Sequence, residues 1–335
     1  MKLSTFALSL GLFGRANAWW KPTPGTSYQI QLSGTLDLSY DVDMYDIDMF
    51  DTPNATIAEL QQRDIKVICY FSAGTYEDWR SDKGRYSSDI IGTRLDEWEG
   101  ESWVDIRSSK LRDIVTDRMT LAQAKGCDGV DPDNVDGAFN DNGFDLTADD
   151  QLDFNKFLAS TAHSLNLTVG LKNDMDQIDA LVQAFDFSVN EQCVQYDECD
   201  TLVPFIKADK PVFGIEYSGD EATACAAANS LNFDTLVKTL GLQSERYSCR
   251  EVAFGSSTAN SSSVPSSSGS VGQSSLSSSN GESELGSEEQ SGSSSSTEEE
   301  SDQDSEAQGE ADSAAESEMT STAMPEGCKT KRSHK

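Results

Sequence analysis

The sequence has few basic residues and few histidines. Its 335 residues include 25 Lys and Arg against 58 Asp and Glu, which gives a formal net charge of −33. A surface of this sign repels the phosphates of nucleic acids and other polyanions, and it concentrates cations. We therefore expect no nucleic-acid partner, although an acidic surface can also serve solubility alone.

Residues that bind metals are scarce or badly spaced. The two histidines are His163 and His334, and no Cys-x-x-Cys pair is present, which argues against a zinc site. A calcium loop of the helix-loop-helix type needs Asp five residues before its central Gly, but Pro132 and Ala138 occupy that position in the Asp-rich stretch. We expect neither a metal nor another cofactor.

Long apolar runs are confined to the amino terminus. Lys2 is followed by an apolar run over residues 3–13 and by the small residues Ala16-Asn17-Ala18. This order is typical of a secretory signal peptide, so we expect residues 1–18 to be removed and the mature chain to begin near Trp19. No later stretch is long enough to cross a bilayer, and the last residues lack the apolar tail of a lipid-anchor signal. We expect a secreted, extracellular monomer, free or associated with a cell wall or matrix.

Seven cysteines fit an oxidising compartment. Cys193 and Cys199 would close a short loop, and we expect them to pair. Cys225 and Cys249 are the second expected pair for the same reason. Cys69 and Cys127 either pair or stay as buried thiols, and Cys328 in the tail is either free or bonded to another molecule. Three N-glycosylation acceptors agree with secretion, and they are Asn54-Ala-Thr56, Asn166-Leu-Thr168 and Asn260-Ser-Ser262.

Composition changes sharply after Phe254. Most of the remaining chain consists of Ser, Gly, Glu and Asp, and a short basic run over residues 329–335 ends it. Such a segment cannot bury enough apolar surface to offset its ordering entropy, so residues 255–335 are predicted to be disordered. An O-glycosylated stalk or spacer is the alternative. Residues 19–254 remain as one domain with enough chain for a sizeable core.

Short apolar segments alternate with amphipathic ones over residues 19–254. Strands are predicted at 28–32, 44–50, 66–71, 103–106, 129–133, 168–171, 187–190 and 211–217. Helices are predicted at 56–64, 110–125, 149–166 and 176–184. This alternation predicts a TIM barrel, a (β/α)8 fold of the α/β class. The first two strands lack a full helix between them, so the first turn of the barrel is predicted to be irregular.

Polar residues lie at the ends of most predicted strands, where barrels of this kind carry their active sites. The densest example is the segment 126–137, in which a buried strand breaks into a loop. It places four aspartates within nine residues: Asp128, Asp131, Asp133 and Asp136. A single polar residue at a strand end is ordinarily explained as part of a turn. Because polar residues lie at the ends of most predicted strands, we predict that they form one shared site.

Seven segments that end at or near predicted strand ends occur in order: Tyr28-Gln-Ile-Gln-Leu-Ser-Gly34, Tyr45-Asp-Ile-Asp48, Val67-Ile-Cys-Tyr-Phe-Ser-Ala-Gly74, Asp128-Gly-Val-Asp-Pro-Asp-Asn-Val-Asp136, Gly170-Leu-Lys-Asn173, Asn190-Glu-Gln-Cys193 and Phe213-Gly-Ile-Glu-Tyr217. Together they resemble glycoside hydrolase family 114, the endo-α-1,4-polygalactosaminidases. The resemblance covers nearly all of residues 19–250 and leaves out the acidic tail. It implies a (β/α)8 fold and endo-hydrolysis of α-1,4-linked galactosamine, including partly N-acetylated polymer.

Glycoside cleavage requires two carboxyl groups, one to protonate the leaving oxygen and one to act as nucleophile or to activate water. Asp133 and Glu191 lie at the ends of two predicted strands separated by one other, so they would stand on opposite sides of a bound sugar. We predict Asp133 as the ionised nucleophile and Glu191 as the acid/base, and the resemblance implies catalytic roles for the same positions. Asp131 is the competing nucleophile, or a partner that orients Asp133.

Other residues at this face are predicted to bind substrate. Carboxylates suited to sugar hydroxyls or an amino group are Asp46, Asp48, Asp174 and Glu216. Aromatic residues suited to stacking on a sugar are Tyr70, Trp103 and Tyr217. Lys172 is predicted to contact substrate or, like Arg107, to hold carboxylates in place. Trp79 and Trp98 are predicted to serve packing only.

The predicted substrate is a galactosamine-containing polysaccharide. Deacetylated galactosamine is a cation near neutral pH, so an acidic cleft would raise its local concentration. We predict cleavage with retention of configuration. A hydrolase of another α-linked sugar fits the same residues equally well. A non-catalytic sugar-binding barrel would keep the aromatic residues and lose the carboxylate pair.

Overall fold

A computed structural model describes residues 19–96, 98–217 and 220–253. The predicted signal peptide, the acidic tail, Cys328 and the acceptor at Asn260 lie outside these residues, so the predicted domain bounds stay a prediction.

The described chain alternates strands with helices in the following order. The first half contains β1 (Tyr28–Gln31), β2 (Met44–Asp48), α1 (Asn54–Gln62), β3 (Lys66–Ser72), β4 (Thr75–Glu77), β5 (Ile91–Arg94), β6 (Glu101–Val104), α2 (Ser109–Lys125) and β7 (Gly129–Asp133). The second half contains α3 (Ala148–Ser164), β8 (Thr168–Lys172), α4 (Ile178–Leu181), β9 (Phe187–Glu191), α5 (Val203–Lys207), β10 (Val212–Glu216), α6 (Glu221–Ser230), β11 (Asp234–Val237), β12 (Tyr247–Ser248) and α7 (Cys249–Ala253). No described helix is long and apolar enough to span a membrane.

Eight parallel strands form one curled sheet of the TIM-barrel type, in the order β1-β2-β3-β7-β8-β9-β10-β11, and β12 pairs antiparallel with β11. Alternate side chains of β2 show why the sheet is buried on both faces: Met44 lies in the inner apolar cluster, whereas Tyr45 and Ile47 lie in the outer cluster that also includes helix residues. The inner cluster joins residues of β1 with residues of β9, β10 and β11. The Tyr28 hydroxyl also donates to the carbonyl of Gly214 at 2.5 Å, so the two ends of the sheet approach each other. The predicted fold class is confirmed.

One predicted barrel strand is wrong in its placement. Residues 103–106 were assigned to the barrel, but β6 belongs to a separate antiparallel sheet with the order β4-β6-β5. The eighth barrel strand is instead β11, which follows α6 and was not predicted. An apolar segment of this length fits a barrel strand and a side-sheet strand equally well, because the pattern does not specify the partner.

Helix ends follow local signals in the sequence. Thr147 and Asp150 form a reciprocal capping box at the start of α3, and Gly126 ends α2 with a φ of 94°. The helices predicted at 56–64, 110–125 and 149–166 correspond to α1, α2 and α3. The fourth is a 3-10 turn followed by the single turn of α4.

Three disulfides connect the described cysteines. The predicted pairs Cys193–Cys199 and Cys225–Cys249 are both present. Cys69 of β3 pairs with Cys127, two residues before β7, and this settles the alternative that the sequence left open. Since β3 and β7 are neighbours in the barrel, this bond ties together the two strands that flank the side-sheet insertion.

Trp19 is fixed to the amino-terminal side of the barrel. Its indole Nε1 donates to Asp186 at 3.1 Å, and its ring stacks on His163 with centroids 4.1 Å apart. Asp186 directly precedes β9. The residue at which the mature chain is predicted to begin is therefore held opposite the carboxyl ends of the strands.

Candidate active site

Asp133, Lys172 and Glu191 are the last residues of three adjacent strands, β7, β8 and β9. The ammonium Nζ of Lys172 lies 3.0 Å from Oδ1 of Asp133 and 3.2 Å from Oε2 of Glu191. The lysine side chain is 6% exposed, whereas those of Asp133 and Glu191 are 17% and 24% exposed. The two predicted catalytic carboxylates are thus brought together at the mouth, on either side of a buried cation.

Asp133 is held in its ionised form. Lys172 donates to Oδ1, and the Tyr70 hydroxyl donates to Oδ2 at 2.7 Å. Burial alone would raise the pKa of Asp133, but the charge of Lys172 and the hydrogen bonds from Tyr70 and Lys172 outweigh burial and lower that pKa. Burial and the charge of Asp133 raise the pKa of Tyr70 well above its ordinary value, so the phenol keeps its proton and stays a donor.

The backbone at Asp133 is braced by the end of β3. The amides of Ala73 and Gly74 donate to the carbonyl of Asp133 at 2.9 and 3.2 Å. A Cβ at Gly74 would lie 1.7 Å from the carbonyl oxygen of Asn134, so only glycine fits this contact. The glycine in the Ser72-Ala-Gly74 segment is therefore required by packing against the loop after Asp133.

Glu191 has its own set of partners. The Tyr217 hydroxyl donates to Oε1, and Nδ2 of Asn173 donates to Oε2 at 3.3 Å. The backbone amide of Glu191 donates to Oδ1 of Asn173 at 3.0 Å. After Glu191 the chain enters the loop closed by Cys193–Cys199, so the carboxylate lies between a strand end and a cross-linked loop.

Asp46 and Asp131 form a carboxyl pair in the barrel interior. Both are buried, and each influences the pKa of the other. Burial and the neighbouring carboxylate raise the pKa of Asp46 well above its ordinary value, and burial raises the pKa of Asp131 to about 7. Asp131 is two residues before Asp133 on β7 and therefore shares its face, one layer deeper. Both roles predicted for Asp131, a second nucleophile and a partner that orients Asp133, stay predictions.

Three further carboxylates from the sequence prediction contact other protein groups. Asp48 accepts from Nη2 of Arg80 at 2.7 Å and from two backbone amides of the following turn. Asp174 accepts from Nδ2 of Asn155 at 2.8 Å, and Glu216 accepts from the amide of Val194 at 2.9 Å. Burial raises the pKa of Glu216. Each of these side chains supports a loop at the mouth, and their contact with substrate stays a prediction.

Arg107 and Trp103 have partners other than the predicted catalytic carboxylates. Arg107 is 43% exposed and pairs with Asp105 at 2.8 Å. Trp103 is buried in the side sheet, where its ring is the nearest neighbour of Gly137. Trp79, for which the sequence suggested a packing role, is 49% exposed.

Glu101 of β6 is a buried carboxyl near the candidate site. The sequence did not indicate it as a site residue. Its Oε1 accepts from the Thr75 hydroxyl and, at 3.1 Å, from Nδ2 of Asn134, the residue after Asp133. Burial raises the pKa of Glu101 to about 8. The strand predicted at 103–106 begins after Glu101, and only the pairing of β4 with β6 places this side chain beside the Asp133 loop.

Among the described residues, no group of three or more His, Cys, Asp or Glu side chains is placed to hold a metal ion. The residues described at the site are carboxylates, a lysine, phenols and amides. These groups can provide an ionised nucleophile beside a second carboxyl that can exchange a proton.

Comparison with known proteins identifies the family. The sequence profile of glycoside-hydrolase family GH114 matches residues 12–254. The chain belongs to family GH114. It is therefore a glycoside hydrolase, and the resemblance noted from the sequence is confirmed. No curated protein sequence matches the chain.

Solved structures agree with the assignment to GH114. The crystal structure of Ega3 from Aspergillus fumigatus in complex with galactosamine is 47% identical, with a TM-score of 0.67 over 69% of this chain and 98% of that one. The glycoside hydrolase domain of PelA from Pseudomonas aeruginosa is 15% identical, with a TM-score of 0.54 over 66% of this chain and 98% of that one. The second similarity supports the fold alone.

Proposed function

We propose that this GH114 enzyme is a secreted endo-glycosidase that cleaves α-1,4-galactosaminidic bonds with retention of configuration. Asp133 is the nucleophile, and Glu191 is the acid/base. The observation that carries the proposal is the placement of both carboxylates on one buried ammonium, with Asp133 held ionised by Lys172 and Tyr70.

The spacing of the carboxylates favours retention. Oδ1 of Asp133 and Oε2 of Glu191 lie 3.0 and 3.2 Å from the same nitrogen, so the sum of these distances, about 6.2 Å, is the upper limit of their separation. Retaining glycosidases hold their carboxyl groups about 5–5.5 Å apart, whereas inverting enzymes leave about 6.5–9.5 Å for a water molecule. The oxygens that face Lys172 are therefore closer together than the inverting range, which supports retention.

Each residue has a defined part in the reaction. Asp133 attacks the anomeric carbon and forms a glycosyl ester, while Glu191 gives its proton to the departing glycosidic oxygen. Glu191 then takes a proton from water, which attacks the same carbon and releases Asp133. Lys172 and Tyr70 keep Asp133 unprotonated for the first step, and the proton transfers balance over the cycle.

Two observations support the substrate. Ega3, at 47% identity, has been solved with galactosamine. The formal charge of −33 favours a cationic polymer over an anionic one. Secretion is supported by the amino-terminal sequence and by three disulfides. Action as a monomer, and any association with a cell wall or matrix, belong to the same proposal.

The test is oligosaccharide release from purified galactosaminogalactan, followed by mass spectrometry, for the wild type, Asp133→Asn and Glu191→Gln. These substitutions keep shape and remove acid chemistry, so both should abolish release in folded protein. Asp128→Asn is the matched control, because Asp128 belongs to the same segment but pairs with Lys66 away from the mouth. NMR of the first product should show the α-anomer.

The possible outcomes separate the alternatives. Initial release of the β-anomer would refute retention. Cleavage of neutral α-galactan without cleavage of the galactosamine polymer would refute the substrate and keep the glycosidase. Cleavage of neither polymer would favour a carbohydrate-binding barrel.

A further inference from the structure

Large exposed apolar side chains in the described residues concentrate at the catalytic face. There are four of them: Trp79 (49% exposed), Leu121 (41%), Phe139 (41%) and Tyr196 (41%). Leu121 lies on α2, outside the barrel. The three aromatic residues all lie in loops that follow the carboxyl ends of barrel strands, namely β3, β7 and β9.

Two of these rings belong to the loops that begin with the catalytic residues. Phe139 lies six residues after Asp133, in a 3-10 turn where its amide donates to the carbonyl of Asp136 at 3.0 Å. Tyr196 lies five residues after Glu191, inside the loop closed by Cys193–Cys199. The nucleophile and the acid/base are thus each followed by a braced loop that presents one exposed ring.

The third ring extends the same face over the side sheet. Trp79 follows β4, whose partner β6 carries Glu101 beside the Asp133 loop. Its neighbours fix its backbone: the Asp78 amide donates to the carbonyl of Gly100 at 3.1 Å, and the buried Arg80 pairs with Glu77 at 2.8 Å. The exposed indole therefore lies on an ordered support.

We propose that Trp79, Phe139 and Tyr196 are stacking platforms for galactosamine units on either side of the cleaved bond. This inference rests on the proposed function and extends it to the binding of a polymer. Aromatic faces bind the apolar faces of sugars, and a protonated amino group adds a cation–π attraction. An endo-acting enzyme has to hold several consecutive units, and continuity with the two catalytic loops favours the polysaccharide over a protein partner as the occupant.

The test uses the wild-type enzyme and the variants Trp79→Ala, Phe139→Ala and Tyr196→Ala. The control is Leu121→Ala, which removes an equally exposed apolar side chain from the outer surface. Substrates are deacetylated galactosamine oligomers of increasing length, labelled at the reducing end, so that rate and cleavage position are measured together. Thermal unfolding checks that each variant is folded.

For each aromatic variant, kcat/KM on long oligomers should fall about 5- to 30-fold, mostly because KM rises. On the shortest oligomer that is cleaved, kcat/KM should change little. Cleavage positions along the labelled oligomers should shift. Phe139→Leu should resemble Phe139→Ala, because it keeps apolar area without a ring, and Phe139→Trp should restore activity. Leu121→Ala should stay within about twofold of the wild type.

Three results would overturn the inference. If the wild type cuts the polymer and all three variants match Leu121→Ala, the three aromatic side chains are not stacking platforms, and the proposed function stands. If short and long oligomers lose activity equally, the rings support the catalytic loops rather than bind sugar. If the wild type cuts no galactosamine oligomer of any length, the proposed function fails and the inference fails with it.

Discussion

Replacing Lys172 by methionine tests the electrostatic design of the site. The ammonium lies 3.0 Å from the ionised carboxylate of Asp133, an attraction of about 5 kcal/mol at an effective dielectric constant of about 20. Part of this offsets the cost of burying the two charges, so removing one partner of such a buried pair costs about 3–5 kcal/mol. A domain of this size loses about 2–4 °C in Tm per kcal/mol, so the variant should melt about 6–20 °C lower near neutral pH.

The pH dependence gives the sharper signature. Asp133 has a lowered pKa in the folded wild type, so it adds stability above the pKa of the unfolded chain and loses it as pH falls through the folded pKa. Without Lys172, burial raises the pKa of Asp133. The loss of stability caused by Lys172→Met should therefore be smaller in acid. The acid limb of the pH profile of kcat/KM should move to higher pH.

The assay is kcat/KM on the polymer across the acid range, with thermal unfolding in the same buffers. Lys66→Met is the control, because Lys66 pairs with Asp128 at 2.9 Å but is 39% exposed, and such surface pairs contribute about 1 kcal/mol or less. An unchanged acid limb, or a loss of stability no larger than that of Lys66→Met, would refute the assigned role of Lys172.

Three further predictions follow from the same contacts. Tyr70→Phe removes the 2.7 Å hydrogen bond to Asp133, so kcat/KM should fall about 10- to 100-fold. The acid limb of the pH profile of kcat/KM should also move to higher pH, and a profile like that of the wild type would contradict this. Glu101 has a folded pKa of about 8, so wild-type stability in urea should fall as pH rises from about 4 to 8, and Glu101→Gln should flatten this decline; an unchanged slope would speak against the assignment. Replacing both Cys193 and Cys199 by serine should cost about 2 kcal/mol in urea and lower the rate of cleavage; full activity would show that the loop needs no cross-link.

Most of the barrel could be predicted from sequence, because its strands are short apolar runs that end in polar residues. The prediction at 129–133 matches β7 in both bounds, and Glu191 and Lys172 are strand ends within one residue of the predicted limits. The strand at 103–106 failed for a physical reason: its residues form a strand, but its partners are β4 and β5 of the side sheet. Strand pairing depends on three-dimensional contacts that the alternation of residues does not encode.

The candidate site shows the same limit. Asp133 and Glu191 could be proposed from spacing and family resemblance, because both terminate strands. Lys172 was predicted at the mouth, but its position between the two carboxylates requires the strand order β7-β8-β9. Glu101 could not be proposed, because its burial depends on the side sheet folding over the Asp133 loop.

Trp19 and Arg250, near the two ends of the described domain, lie on the side opposite the carboxyl ends of the barrel strands. Trp19 is held by Asp186 at the start of β9, and the Arg250 guanidinium donates to the carbonyl of Asn232, ahead of β11. A support attached near either residue would therefore face the amino-terminal side of the barrel. The cleft would point outward, towards a substrate too large to diffuse around the enzyme. An immobilised form could be linked through either end without obstructing the approach of the polymer.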